Sequence, residues 1–376
     1  MGGGRCHRKA RWEQRIEKLL QSIERLQVSR RNCVFLLPPN CRISTAGRIF
    51  QQKLSGWFVS SIRKLTDQLV RQANVVSRCI GRVNRNKCAE AATRVMIPVF
   101  GLAAADRGTD TPDKRDITFF LANILFKLYY ELDNVRLCDT ILKNLEKQLQ
   151  RIEAFPMADQ TMFHFWHGRI YLTQQRVRQA YEELSKAFTM CTNNSFKNKQ
   201  IIFTYLVATA IPIGIFPSTS LLEHFGLTSR YGPLIDSIKR GTFTHSILRS
   251  GKWFARRGVW MLLREKGEVL VWRSLIRRRE QNPSAFVAGS KGPPPTLQLL
   301  AIQSALQFSS HDVSYTLNDA ESLCCSLLDQ GYVKGYILHS RQLLALQKAE
   351  NLGFPPPCTI VVDSGLLDGA VDYTND

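Results

Sequence analysis

The sequence predicts a mainly α protein, an irregular TPR-like helical superhelix capped by a C-terminal winged helix. Three observations predict it. Long stretches carry apolar residues at three- and four-residue spacing. One block fits the tetratricopeptide pattern, in which small and large residues interlock two antiparallel helices. Near the carboxyl end a helix, a second helix and a hairpin follow one another, which is the outline of a winged helix.

The first helix expected is Trp12 to Gln27, with Trp12, Ile16, Leu19, Ile23 and Leu26 on one stripe. After the loop "FLLPPNCRISTAG", a second is expected from about Ile49 to Ile80, on Leu54, Phe58, Ile62, Leu65 and Leu69. The segment "GLAAADRGTDTPDKRD" is small, polar and turn-forming, so it reads as a boundary with a compact domain beyond it. From Asp116 to Leu149 runs a long amphipathic stretch.

Next comes "HFWHGRIYLTQQRVRQAYEELSKAFTMC". With Gly168 at the eighth repeat position, Tyr171, Ala180, Leu184 and Ala187 fall where two helices interlock. The 34-residue period does not continue cleanly on either side, so an irregular stack is expected. Gln200 to Leu222 carries no charge, yet Pro212, Gly214 and Pro217 interrupt it. Its unbroken part, Ile201 to Ile211, is too short to span a bilayer and reads as a buried helix followed by a loop.

The last third holds "GKWFARRGVWMLLREKGEVLVWRSLIRRRE", the linker "NPSAFVAGSKGPPP" and the winged-helix pattern. Leu297 to Phe308 is the first helix. Asn318 and Glu321 have capping-box spacing for the second, in which Leu317, Ala320, Cys324, Leu327 and Leu328 form the apolar face and Gly331 the stop. Strands are expected over Tyr332 to Leu338 and Leu343 to Leu346, joined by His339 to Gln342. The winged helix is expected to pack on the helix Val269 to Arg279. The tail "FPPPCTIVVDSGLLDGAVDYTND" reads as an ordered crossing followed by a flexible acidic end. The domains are therefore a basic helical region over 1–100, a helical repeat part over 116–280, the winged helix over 296–350 and a tail over 351–376.

The formal net charge is +20, and residues 1–100 contribute +15 of it through 20 Lys and Arg against 5 Asp and Glu. Such a field favours acidic partners: nucleic acid, an anionic membrane surface or an acidic protein. The ten cysteines are dispersed without a C-x-x-C pair and read as reduced thiols of an intracellular protein. "MGGGRCHRKARWEQR" lacks the apolar core of a secretory signal, so export is not expected.

Catalytic motifs for nucleotide, serine-hydrolase and zinc-protease chemistry are missing from the sequence. His164 and His167, three apart, lack a third ligand nearby and read as packing histidines among Phe163, Phe165 and Trp166. Asp106, Asp110 and Asp113 lack calcium-loop spacing. No catalytic residue, metal or cofactor is expected. Lys252, Arg256, Arg257, Arg264, Lys266, Arg273, Arg277, Arg278 and Arg279 crowd one region. Two readings stand: a solvated helix face, or a phosphate-contacting surface beside the winged helix. On the second, the nucleic-acid contacts are Arg277, Arg278, Arg279, Lys334 and Arg341.

The blocks "ILFKLYYELDNVRLCDTILKNLE", "FHFWHGRIYLTQQRVRQAYEELSKAF", "NKQIIFTYLVATAIPIGIFPSTSLL", "YGPLIDSIKRGTF", "WFARRGVWMLLRE" with "VWRSLIRR", and "SLLDQGYVKGYILHSRQLLALQK" with "FPP" resemble, in that order, the PCI domain. The nearest branch is that of Thp one, PCI-domain-containing protein two and signalosome subunit twelve. The resemblance covers about Asp116 to Pro357, and residues 1 to about 100 lie outside it. It implies a non-enzymatic subunit of a nuclear, transcription-coupled mRNA export complex. Its partners would be a large Sac three or GANP-type scaffold, the small acidic Sem one (DSS one) protein, and RNA or DNA held in a salt-sensitive way. No membrane partner is implied. The location implied is the nucleus and nuclear pore, with a cytoplasmic share. The alternative is an accessory protein-interaction subunit of a signalosome-like complex. "SRQLLAL" replaces the family's valine-rich returning strand with leucines.

Overall fold

A computed structural model describes residues 58–79, 85–106, 114–242, 251–280, 295–348 and 353–360. The expected helix Trp12 to Gln27, the loop after it and the acidic end of the tail lie outside these residues. The chain divides into two compact units, Met1–Gln160 and Thr161–Asp376.

The first unit contains α1 (Val59–Cys79), α2 (Arg85–Ala104), α3 (Thr118–Glu131) and α4 (Arg136–Leu149). Phe58, Ile62 and Leu69 are buried as their spacing demands, while Leu65 is half-buried and Thr66 takes the inner position beside it. Gly101–Ala104, read from sequence as the start of a boundary, instead complete α2, because Ala103 is fully buried and small residues there allow close packing. The long amphipathic stretch from Asp116 to Leu149 forms two helices. Asp133 turns left-handed at φ 55°, and the Asn134 and Asp133 amides close on the Tyr129 and Tyr130 carbonyls.

Helix α5 (Met157–Thr173), from Thr161 on, opens the second unit, followed by α6 (Val177–Met190), α7 (Phe196–Ile213), α8 (Thr219–His224), α9 (Thr228–Arg240), α10 (Gly251–Ala255) and α11 (Trp260–Glu280). The repeat spacing is expressed directly. Ala180, Leu184 and Ala187 are fully buried, and a Cβ at Gly168 would lie 2.7 Å from Leu184 Cγ. Helix α7 is buried along most of its length, accommodates Pro212 in its last turn and ends at Gly214 with φ 85°. It lies against α6 and α11, and Tyr231 of α9 donates to the Thr204 carbonyl at 2.7 Å.

The winged helix comprises β1 (Thr296–Gln298), α12 (Leu299–Ser310), α13 (Leu317–Asp329), β2 (Gly335–Leu338) and β3 (Leu343–Leu346). The sheet is antiparallel in the order β1-β3-β2, with Thr296 opposite Ala345 and Gly335 opposite Leu346. Three local expectations are corrected. The cap of α13 is Thr316 with Asp319, not Asn318 with Glu321. Only Gly335–Leu338 is strand, since the Tyr332 and Val333 amides turn back to the Leu327 carbonyl after Gly331 at φ 74°. Leu297 belongs to β1, so α12 begins two residues later than expected.

The expected packing on α11 is present, for α11 touches both α12 and α13. Gly241, at φ 67°, brings the end of α9 so near α11 that a Cβ would meet Leu275 N at 2.7 Å. Ser309 of α12 donates to the Gly241 carbonyl at 2.7 Å, fastening the winged helix to that corner.

Candidate functional site

The candidate site comprises the end of α11 and the hairpin of the winged helix, whose helices α12 and α13 pack on α11. Three consecutive helical residues span about 200° of arc, so the arginines ending α11 cannot share one environment. Arg277 and Arg278 are exposed; Arg279 is in the same helical turn. Lys334 is exposed just before β2, and Arg341 is exposed in the short 3-10 turn that links β2 to β3. Among the described residues, Arg277, Arg278, Lys334 and Arg341 are paired with no carboxylate.

The backbone brings some of these cations together. The Lys334 amide donates to the Gly353 carbonyl at 2.7 Å, and Gln347 closes on the Lys334 carbonyl at 2.9 Å. Gly353, at φ 77°, can approach so closely because it lacks a Cβ, which would stand 2.7 Å from the Lys334 oxygen. Next in sequence, the Phe354 and Pro355 carbonyls accept from Arg273 Nη2 at 3.2 and 2.7 Å. Arg277 stands one turn, about 6 Å, along α11 from Arg273. Lys334 and Arg273 are thus both tied to the short run Gly353 to Pro355, and Arg277 follows Arg273 by one helical turn. Arg341 does not join them: it stands at the closed end of the hairpin, roughly 15 Å from Lys334 at strand rise. Beside it, His339 Nδ1 donates to Glu321 Oε1 at 2.8 Å, so the residue expected to cap α13 instead holds the wing.

Arg273 was grouped by sequence with the surface cations and is in fact 5% exposed. Burial, then the charge of Arg277, pulls its guanidinium down to about 10, still charged at neutral pH. Arg178 of α6 performs a similar duty, donating to the Cys358 carbonyl at 3.1 Å and to that of Ile360. Sequence reasoning missed both anchors. Their signal lies in the pairing of a distant arginine with "FPPPC", which no local pattern reveals.

His164 and His167 do pack, but not only on aromatics. Their Nδ1 atoms donate to one oxygen of Glu183, at 2.8 and 3.1 Å, and Lys186 donates to the other at 2.7 Å. Burial alone would raise the Glu183 carboxyl, but these three donors outweigh it and hold it far below the carboxylate range. Among the described residues no group of three or more His, Cys, Asp or Glu is placed to hold a metal, and no helix is long and apolar enough to cross a membrane. Rigidly mounted cations can hold anions without transforming them.

No family model matches the chain. It is 32% identical over 276 residues to a PCI domain-containing protein of Schizosaccharomyces pombe, covering 72% of this chain and 62% of that one. It is 29% identical to a PCI domain-containing protein 2 homolog of Dictyostelium discoideum, over 68% of this chain and 58% of the relative. To the Protein CSN12 homolog of Neurospora crassa it is 26% identical, over 70% and 61%. The chain therefore spans about three fifths of the length of these relatives. With a helical stack and a winged helix in the expected order, the chain belongs to the PCI-domain family, in the branch of PCI domain-containing protein 2, Thp one and signalosome subunit twelve.

Proposed function

We propose that this chain is a non-enzymatic PCI subunit of a nuclear complex that couples transcription to mRNA export, scaffolding its partners and holding RNA or DNA. The carrying observation is the set of exposed cations, Arg277, Arg278, Lys334 and Arg341, mounted on α11 and the hairpin and without carboxylate partners among the described residues. A cation pinned by a neighbouring acid gives little to a phosphate, whereas an unpaired one releases counterions on binding. Arg279 extends the row in sequence. Protein partners of this reading are a Sac three or GANP-type scaffold and a small acidic Sem one-type chain, which would stabilise the folded state by binding it selectively.

A second reading is favoured by the likeness to a CSN12 homolog: an accessory subunit of a signalosome-like complex, working through protein contacts alone. The two separate experimentally. Lys334→Ala with Arg341→Ala weakens RNA of every sequence about equally, because phosphates carry no sequence information. It leaves scaffold capture unchanged. A folded double variant that binds RNA like wild type but loses the scaffold supports the second reading instead.

A further inference from the structure

The run "GKWFARRGVWMLLR", Gly251 to Arg264, contains no acidic residue, and the winged-helix surface makes no use of it. It forms α10, a turn through Gly258 at φ 72°, and the start of α11. Its two tryptophans each carry a guanidinium from four residues on, a spacing visible in the sequence. Arg257 lies 3.7 Å over the Trp253 ring centroid, and its Nη1 donates to the Trp253 carbonyl at 3.2 Å. Arg264 lies over Trp260 at 5.3 Å. From α9, Arg230 approaches the Trp253 ring at 5.7 Å.

Each ring is packed against its own neighbours. Trp253 stands edge-on to Tyr231 and Phe254, at 5.9 and 5.2 Å between centroids. Gly251 lets Trp260 in: a Cβ there would stand 3.0 Å from the indole Nε1. Arg230, Lys252, Arg256 and Arg264 are exposed, Arg257 and both tryptophans half-buried. Among the described residues none of the five cations is ion-paired. Arg264 acts on Glu268 one turn away only through its field.

A single cation–π contact stiffens a surface by about 0.5–1 kcal/mol and requires no ligand. Five unpaired cations around two ordered indoles repel one another, which disfavours the cluster until an anion arrives. An arginine held over an indole has already lost much of its freedom and keeps most of its planar donors for a phosphate. Tryptophan and guanidinium planes also stack bases, which an acidic peptide cannot exploit and a paired duplex does not offer. We infer that this Trp–Arg surface of α9, α10 and the start of α11 binds single-stranded nucleic acid, with phosphates on the exposed cations and bases stacked on the outer planes of the tryptophan-backed guanidiniums. It is a second contact, since Arg264 and Arg278 stand about 21 Å apart along α11. The inference rests on the proposed nucleic-acid role and adds to it the strand state and a new site.

The test measures anisotropy of a labelled oligouridylate, and of a duplex of equal length, over a salt series with the full chain. The variant Arg230→Ala, Arg256→Ala, Arg264→Ala changes exposed residues only, and its melting curve checks the fold. Single-strand affinity should fall about tenfold and the log–log salt slope flatten by about 2, at roughly 0.7 per contact, with duplex affinity nearly unchanged. Arg257→Lys, which keeps charge but not the planar stack, should weaken the single strand several-fold. Unchanged single-strand binding in both variants, while Lys334→Ala with Arg341→Ala loses it, overturns this site and leaves the winged-helix surface standing. Absence of any wild-type RNA binding overturns both. Equal displacement by polyglutamate at matched charge assigns the surface to acidic protein and overturns the choice of ligand.

Discussion

At the joint of α5 and α6, Glu183 accepts hydrogen bonds from His164 and His167 on one oxygen and from Lys186 on the other. Toward the end of α11, Arg273 donates to the Phe354 and Pro355 carbonyls, and Arg277, one turn on, is exposed and has no carboxylate partner among the described residues. The first region uses charge to join two helices and has none to spare. The second holds one cation inside as a clamp and turns the next outward. Residue type alone therefore says little about role in this chain: burial and the identity of the acceptor separate a structural arginine from one available to a ligand.

The largest expected effect lies at the joint of α5 and α6. Gly168→Val would press a side chain into Leu184 Cγ and the Ala180 carbonyl, where a Cβ already stands at 2.7 and 3.2 Å. Overpacking outweighs the gain in helix propensity, which is under 1 kcal/mol. The net loss should be about 3 kcal/mol, read from denaturant midpoints. A variant as stable as wild type would show that the joint is looser than described.

Arg273→Met should cost about 2 kcal/mol, because the buried Phe354 carbonyl and the half-buried Pro355 carbonyl lose their charged donor. Arg277→Ala, one turn away, should shift stability by less than about 0.5 kcal/mol. Equal costs would erase the distinction between clamp and surface. The pH response sharpens the other half of the contrast. The folded Glu183 carboxyl is depressed, so its stabilising share is complete above its ordinary value of 4.5 and is lost as pH falls below it toward the lower folded value. Glu183→Gln should melt below wild type at neutral pH, by roughly 5 °C. That gap should narrow as pH drops below 4.5; a gap constant with pH would mean that the carboxylate's charge is immaterial.

Much of the fold was legible because it is local. The Gly168, Ala180, Leu184 and Ala187 spacing specifies the helix pair, and the apolar run of α7 specifies a buried helix ended by Gly214. Local grammar fails where two readings fit equally. Thr316 with Asp319 and Asn318 with Glu321 both have cap spacing, and the choice is decided by His339, 18 residues away, which takes Glu321. A three-residue strand such as β1 is too short to show a period, so Leu297 and Gln298 read as the start of the helix that follows. At the candidate site, sequence identified the cations but not their environments. Arg273 and Arg277 look alike in "VWRSLIRRRE", and only Phe354, 81 residues on, distinguishes them.

The central claim is that outward cations at α11 and the hairpin serve a phosphate ligand. It is tested most directly by single-stranded RNA affinity across a salt series for wild type and for Arg277→Ala, Arg278→Ala, Lys334→Ala, Arg341→Ala combined. The account predicts a melting temperature within about 2 °C of wild type, as expected for exposed sites. It also predicts a log–log slope shallower by about 3, the sum of four single-strand phosphate contacts. An unchanged slope and affinity in that folded variant would contradict it.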